Sequence, residues 1–300
     1  MTGLGKTAWV DRHLGLVWER VRQAVPDEEW LPLVAEERGR GFVSVEELGC
    51  GHYGCVMPSY KPEVVVKLTS DTTEAFFVAA ALELGRRDED AWEGLTEYFA
   101  IYRIKGAFHR RRPLYILWRE AAFDVGGPAL VKVYRDDDYK RRSLQQLFAY
   151  LDKFKWSAGH VRDKLKKAKD PYALVDKAKE YEDWAWGTVE EHPGNAQNAL
   201  YDKARAPHWS KNARGAQGVA VHLRHCQLIA ELMEYTYLSD HVGRALSFYL
   251  ERGLLLADVH QGNVGHVTRP DCTEPRIVIT DPGHAVPLID EWDEIEIEEI

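Results

Sequence analysis

A chain of 300 residues is long enough for one large domain or two modest ones, and its 45% hydrophobic and 29% charged residues are ordinary for a globular protein. The formal net charge of −9 argues against a dedicated nucleic-acid binder, and no apolar run of about 18 residues offers a membrane span. The four cysteines, Cys50, Cys55, Cys226 and Cys272, include no C-x-x-C pair, so reduced thiols in a cytoplasmic compartment are expected.

Charged residues such as Asp11 and Arg12 interrupt any signal-peptide core near the first residue. TGLGKT, residues 2–7, ends like a phosphate-binding loop but lacks the earlier glycine and the leading strand, and is read as chance. Trp9, Val10, Leu14, Val17, Val21 and Val25 recur at helical spacing, which predicts a helix over 8–25 ended by Pro26 and Asp27. Phe42, Val43 and Val45 predict a strand from near Gly41, followed by ELGCGHYGCV and the short buried strand EVVVKL. TTEAFFVAAALEL, residues 72–84, predicts an Ala-rich helix with Asp71 or Thr72 as N-cap. Residues 98–118 predict a hairpin, with YFAIYRIKGAF and LYILW as arms and HRRRP as turn. Strand, glycine loop, strand, helix and hairpin make a small α+β lobe over 41–121, preceded by a helical extension over 1–40.

Residues 122–300 read as a second, mostly helical lobe with a large insert at about 124–237. Residues 132–180 hold 14 Lys/Arg against 8 Asp/Glu, a local excess of +6 (14 − 8). An acidic partner or nucleic acid is one reading of that excess. The simpler one is a solvated helix face, because the lysines of DKLKKAKD alternate with acids. Gly187, Pro193, Gly194, Pro207, Gly215 and Gly218 predict loops. Helices are expected at 219–237 and 240–252, the second ended by Gly253. LLLADV and VGHV then flank a polar loop, and RIVITD is one more strand. The tail DEWDEIEIEEI, with seven acids, is expected to be a solvated terminus or an edge element.

Gly49, Gly51 and Gly54 form G-x-G-x-x-G, followed by Val56. Glycines let a backbone approach phosphates closely, and a strand rather than a helix comes next, which favours a glycine-rich flap over a dinucleotide site. Lys67 closes the run Val64–Val65–Val66, and a buried strand lysine needs a carboxylate partner. Glu83 and Glu74 are the candidates, and Glu83 is favoured for its mid-to-late place in the following helix. Asp258 follows an apolar strand with Asn263 five residues on, which suits a proton acceptor beside a metal-ligating amide. Asp281 ends another strand before Pro282 and Gly283, well placed to hold Mg2+. His260, His266 and His284, with Asp258 and Asp281, admit a rival reading as a metal-dependent hydrolase. They lack the tight H-x-x-x-H spacing, and His260 is expected to brace its loop. His222, His225 and Cys226 are read as packing or surface residues of a helix.

In this order the motifs resemble the protein-kinase-like superfamily. ADVHQGN is closest to atypical and small-molecule kinases, whose loops read Asp-x-His-x-Gly-Asn. The resemblance covers about residues 41–121 and 238–284. It implies an α+β, bilobal protein-kinase-like fold and an ATP- and Mg2+-dependent phosphotransferase. It implies a glycine-rich loop of Gly49, Gly51, Gly54 and Val56, with Lys67 and its glutamate on the phosphates. Trp118 to Ala121, Glu120 included, would be the hinge that meets adenine. Asp258 would be the catalytic aspartate, with Asn263 and Asp281 as metal ligands. With 17 residues after Gly283 (300 − 283), no activation segment or peptide-docking helices are expected, and Pro282 stands where the family has Phe. The acceptor implied is a small molecule or one dedicated protein. A nucleotide-binding regulatory module without transfer activity, a pseudokinase, is the alternative.

Overall fold

The run Val64–Val65–Val66 forms the centre of a sheet, as its apolar and β-branched composition requires. In the computed structural model, β3 (Gly49–Cys50), β4 (Gly54–Pro58), β5 (Val64–Thr69), β7 (Arg112–Glu120) and β6 (Tyr98–His109) pair in that order, all antiparallel. The structure describes residues 4–25, 27–35, 44–192, 195, 211–268 and 275–300. The chain divides into two units, residues 1–88, 96–121 and 295–300 in the first, and residues 89–95 and 122–294 in the second.

In the first unit, α1 (Leu4–Ala24) lays Val10, Leu14, Val17 and Val21 against Met57, Val66, Leu68, Ile116 and Trp118. The helical period read from the sequence is therefore a core face. The backbone of Leu4–Thr7 lies in this helix; Thr2 and Gly3 lie outside the described residues. So do Gly41, Phe42 and Val43, whereas Val45 falls in β2 (Ser44–Val45), paired with β1 (Val34–Ala35). β5 is buried at all six positions. Val64, Val66 and Leu68 join the α1 cluster, and the alternation of a strand sends Val65, Lys67 and Thr69 to the opposite face. α2 (Thr72–Gly85) follows at once, capped by Asp71, whose carboxylate accepts the Thr73 and Glu74 N–H groups. The β6–β7 turn is tighter than HRRRP suggests. Only Arg110 and Arg111 remain outside the strands, both at positive φ (50° and 68°), the conformation that a two-residue hairpin demands. The acidic tail is an edge element: Arg103 N–H donates to Glu298 O and Lys105 N–H to Ile300 O, each at 2.8 Å, along β6.

The second unit is mostly helical. α3 (Gly127–Val133), α4 (Asp138–Leu165), α5 (Pro171–Lys179), α6 (Glu182–Glu191), α7 (Lys211–Glu234) and α8 (Asp240–Glu251) precede two short antiparallel pairs. These are β8 (Leu254–Leu256) with β11 (Ala285–Pro287), and β9 (Val264–Val267) with β10 (Arg276–Ile279). α4 buries Leu144, Leu147, Leu151, Phe154, Ala158, Val161 and Leu165, the spacing of one helical stripe, and packs on α7. Gly187 and Gly215 do not mark loops. They lie inside α6 and α7, as does Gly218, because tertiary packing outweighs the modest helix penalty of glycine. Pro193, Gly194, Pro207 and Cys272 lie outside the described residues. Basic side chains of this region meet local acids, as in Arg141–Asp138, Lys177–Glu180 and Lys179–Asp176. Among the described residues no helix is long and apolar enough to cross a membrane.

Between α4 and α7 the Ser157 hydroxyl bonds His225 Nδ1 and lies 3.4 Å from His222 Nδ1, with His160 stacked on the His222 ring. Burial, reinforced by His160, His225 and Lys164, pulls the His222 pKa from 6.5 down to about 3. Between those values the unfolded chain binds a proton that the folded chain refuses. The His222 contribution to stability is therefore full above pH 6.5, falls as the pH falls, and stops falling near pH 3. Urea unfolding at pH 7 and pH 4 is expected to show His222 accounting for a loss on the order of 3 kcal/mol. His222→Gln should shrink the difference between the two pH values by most of that amount, and an equal difference in both proteins would rule the assignment out.

Candidate functional site

In the first unit the glycine loop is a hairpin. β3 and β4 are closed by Gly51 N–H donating to Gly54 O at 2.8 Å. The three glycines are not equivalent. A Cβ on Gly54 would lie 2.6 Å from Leu68 O and 3.1 Å from Thr69 Cα, so close packing on β5 demands glycine there. A Cβ on Gly49 would meet nothing within 4 Å, and one on Gly51 only Gly54 O at 3.9 Å. These two therefore leave bare backbone beside open space. The tip is anchored, since the Ser70 N–H and hydroxyl both donate to Tyr53 O at 2.8 and 3.0 Å.

Val56 stands opposite Lys67 across β4 and β5. Lys67 does not pair with Glu83. Its Nζ meets Glu74 Oε1 at 2.5 Å, the two side chains being 9% and 2% exposed, and Thr69 Oγ1 donates to Glu74 Oε2 at 2.9 Å. Glu83 is half-exposed and pairs with Arg86 and Arg87 instead. The cause is the short connection from β5 to α2. Ser70 and Asp71 fold the first helical turn back onto the strand end, while nine further residues carry Glu83 about 13 Å along the axis. The sequence signal was the Asp71 N-cap, which starts the helix two residues after β5 and so keeps Glu74, its third residue, beside the strand end.

Trp118 is not at a hinge. It lies inside β7 with Val66 on one side and Ala100 on the other, is fully buried, and donates its indole N–H to Trp30 O at 2.6 Å. Its ring belongs to the α1 core, which its place in a central strand dictates. Glu120 closes β7, with its N–H on Glu97 O at 2.7 Å and its buried carboxylate 3.4 Å from the Glu97 N–H.

In the second unit the loop after β8 is tightly organised. Asn263 Nδ2 donates to Asp258 O at 2.8 Å, and the Asn263 N–H to His260 O at 2.8 Å. His260 Nδ1 accepts the Gly262 N–H at 2.9 Å, so this histidine braces the loop. A Cβ on Gly262 would sit 2.7 Å from His260 Cε1, which explains Asp-x-His-x-Gly-Asn physically: glycine leaves room for the ring. The β9–β10 register sets Val264 opposite Ile279, and Thr280 N–H donates to Asn263 O at 2.8 Å. Asn263 and Asp281 therefore flank the same end of one hairpin. Burial chiefly, then the Lys155 charge, lowers the His260 pKa against the raising effect of Asp258 and Asp281, which places all four in one electrostatic neighbourhood.

Lys155 is the residue that sequence reasoning missed. From α4 its Nζ reaches Asp258 Oδ1 at 2.9 Å. Nothing in DKFKW distinguishes it from the neighbouring solvated lysines, because its partner comes from a distant segment. His266 is not a ligand beside His260. Its ring is buried, 3.8 Å from Asp124 Oδ2, and its backbone pairs with Phe123. Among the described residues, the cluster of three His, Cys or carboxylate ligand atoms within 4.8 Å of one another is Glu47, Cys50 and Cys55, none of them in this loop. His222, His225 and Cys226 are all buried packing residues.

The cysteines depart from the expectation of reduced thiols: Cys50 and Cys55 form a disulfide across the β3–β4 register, with Cα atoms 4.1 Å apart. A chain of this size needs no such staple, but facing positions of a hairpin bring two cysteines together whatever the size of the core.

No protein-family model matches the chain. No curated protein matches it. Among solved structures it is similar to the crystal structure of a BubR1 kinase domain, with a TM-score of 0.35 and 11% sequence identity over 95% of this chain. The match takes in 62% of the BubR1 chain, so this protein spans less than two thirds of it. At that score the likeness fixes no fold.

Proposed function

We propose that the chain is an ATP- and Mg2+-dependent phosphotransferase of kinase-like, bilobal architecture, acting on a hydroxyl of a small molecule or of one dedicated protein. The observation that carries this reading is the Asp258–Asn263 loop, locked by its own hydrogen bonds and tied through Thr280 to Asp281. Asn263 commits its amide nitrogen to Asp258 O, which leaves Oδ1 as the atom to offer a cation. An amide oxygen and a carboxylate are hard donors, the chemistry that suits Mg2+. Bound Mg2+ would neutralise phosphate charge. Asp258 would orient and accept the proton of the acceptor hydroxyl, with Lys155 holding its carboxylate in place. In the first unit, Lys67, set by Glu74, would meet phosphates whose oxygens approach the bare backbone of Gly49 and Gly51. Glu120, at the end of β7, is the remaining candidate beside adenine; Trp118 and Glu83 drop out.

Isothermal titration with ATP and Mg2+ is the test. Asp281→Ala is expected to weaken binding by more than about tenfold, since even outer partners of a metal ligand count for that much. No binding by the wild-type chain, or unchanged affinity in Asp281→Ala, would sink the reading. Binding without transfer to any acceptor, water and the chain itself included, would assign the protein to nucleotide-binding regulatory modules.

A further inference from the structure

We infer that Cys50 and Cys55 are a reversible redox-modification site on the glycine loop, exchanging with a small thiol/disulfide couple of the glutathione kind. Its consequence for nucleotide rests on the reading of that loop as a phosphate cradle. The two residues bracket the Gly-His-Tyr-Gly tip and face each other in register. The Gly51–Gly54 bond closes the next pair inward, so Cys50 and Cys55 occupy a non-hydrogen-bonded pair, where side chains approach most closely. β4 is held by β5 and the tip by Ser70, so opening the bridge leaves Cys55 and Tyr53 in place and releases only the Cys50 side. The bridge closes a very short loop within an already formed hairpin, where a cross-link stabilises a fold least. Stability is thus a poor account of it.

The surroundings favour exchange. Cys50 is half-buried and Cys55 is 3% exposed, which directs an incoming thiolate to the Cys50 sulfur. Attack there forms a mixed disulfide on Cys50 and expels the Cys55 thiolate, which takes up a proton. A second thiolate attacks the outer sulfur, forming the small disulfide and releasing Cys50. In sum, the protein disulfide and two small thiols become the protein dithiol and one small disulfide. Glu47 supplies the reduced state with a partner. Its Oε2 lies 3.0 Å from Cys50 Sγ, a contact that is a hydrogen bond only when Cys50 carries a proton. Glu47 therefore favours the dithiol. With the tip anchored at Tyr53, the bridge restrains the Gly49–His52 arm, whose glycines are the ones with open space. The reduced loop is free to close on phosphates, so ATP binds it more tightly, by about tenfold on the usual scale of such couplings.

The full chain is equilibrated in glutathione buffers of graded composition, alkylated, and the 50–55 peptide weighed. A two-state transition is expected, and Glu47→Ala should move its midpoint several-fold towards the disulfide. Thiols that stay free in oxidised glutathione, a bridge that resists dithiothreitol in the folded chain, an unmoved midpoint in Glu47→Ala, or stoichiometric zinc on the reduced pair would each overturn the exchange. Titration of ATP and Mg2+ into both forms reads the gating. Equal affinities overturn gating alone. No binding in either form counts against the phosphate cradle, while the glutathione transition still decides the exchange.

Discussion

Glu74→Ala is expected to lower the stability of the chain by about 3–5 kcal/mol in urea unfolding, and Glu83→Ala by no more than about 0.5 kcal/mol. Removing Glu74 takes a carboxylate away from a nearly buried ammonium between Val56 and Leu117 and strips Thr69 Oγ1 of its acceptor. Glu83 loses only half-exposed pairs with Arg86 and Arg87, whose worth solvent screening holds near zero. The double variant Lys67→Met, Glu74→Leu separates purpose from stability. Apolar replacement of a buried pair is often neutral or stabilising, so the double variant should regain most of what Glu74→Ala loses. It should also lose ATP binding. A double variant that stays as unstable as Glu74→Ala would make the pair a structural necessity, and one that binds ATP normally would remove Lys67 from the phosphates.

The sequence disclosed elements better than partnerships, for physical reasons that individual residues make plain. Val64–Val66 and the Ala-rich run after Asp71 were legible because burial on nearly every side writes a continuous apolar run into the composition, opened in α2 by a cap residue. Lys67 was legible as an anomaly, since a charge inside such a run demands compensation. Its partner was misjudged because the deciding quantity is the direction in which a helix leaves a strand, set by two linker residues. The Asp258–Asn263 loop was legible as a pattern, and the reason for Gly262 emerged only with the His260 ring in place. Trp118 came to the hinge only through the family resemblance, and the strand in fact runs on past it to Glu120. Lys155 and the Cys50–Cys55 bridge depend on contacts that no local period encodes, one between distant segments and one on a strand register.

Asp258→Asn is expected to lower ATP turnover by about 10²- to 10⁴-fold, the usual contribution of a positioned proton acceptor, with ATP affinity unchanged. Water serves as acceptor, so the measurement needs no knowledge of the natural hydroxyl. The amide keeps the size and the backbone contact with Asn263 Nδ2, which goes to the main-chain oxygen of residue 258, so the loop should survive the change. Lys155, paired with that carboxylate, is expected to act through it. Lys155→Met should lower turnover by roughly tenfold, a Coulombic contact near the surface being worth on the order of 1–2 kcal/mol, and leave ATP affinity alone. Lys155→Arg, which keeps the charge, should restore most of the rate. Asp258→Asn with wild-type turnover would remove the proton acceptor. Equal losses in Lys155→Met and Lys155→Arg would mean that α4 supplies packing there and not charge. A partial loss restored by arginine is the signature of a cation delivered by a distant helix to a loop that carries no lysine of its own.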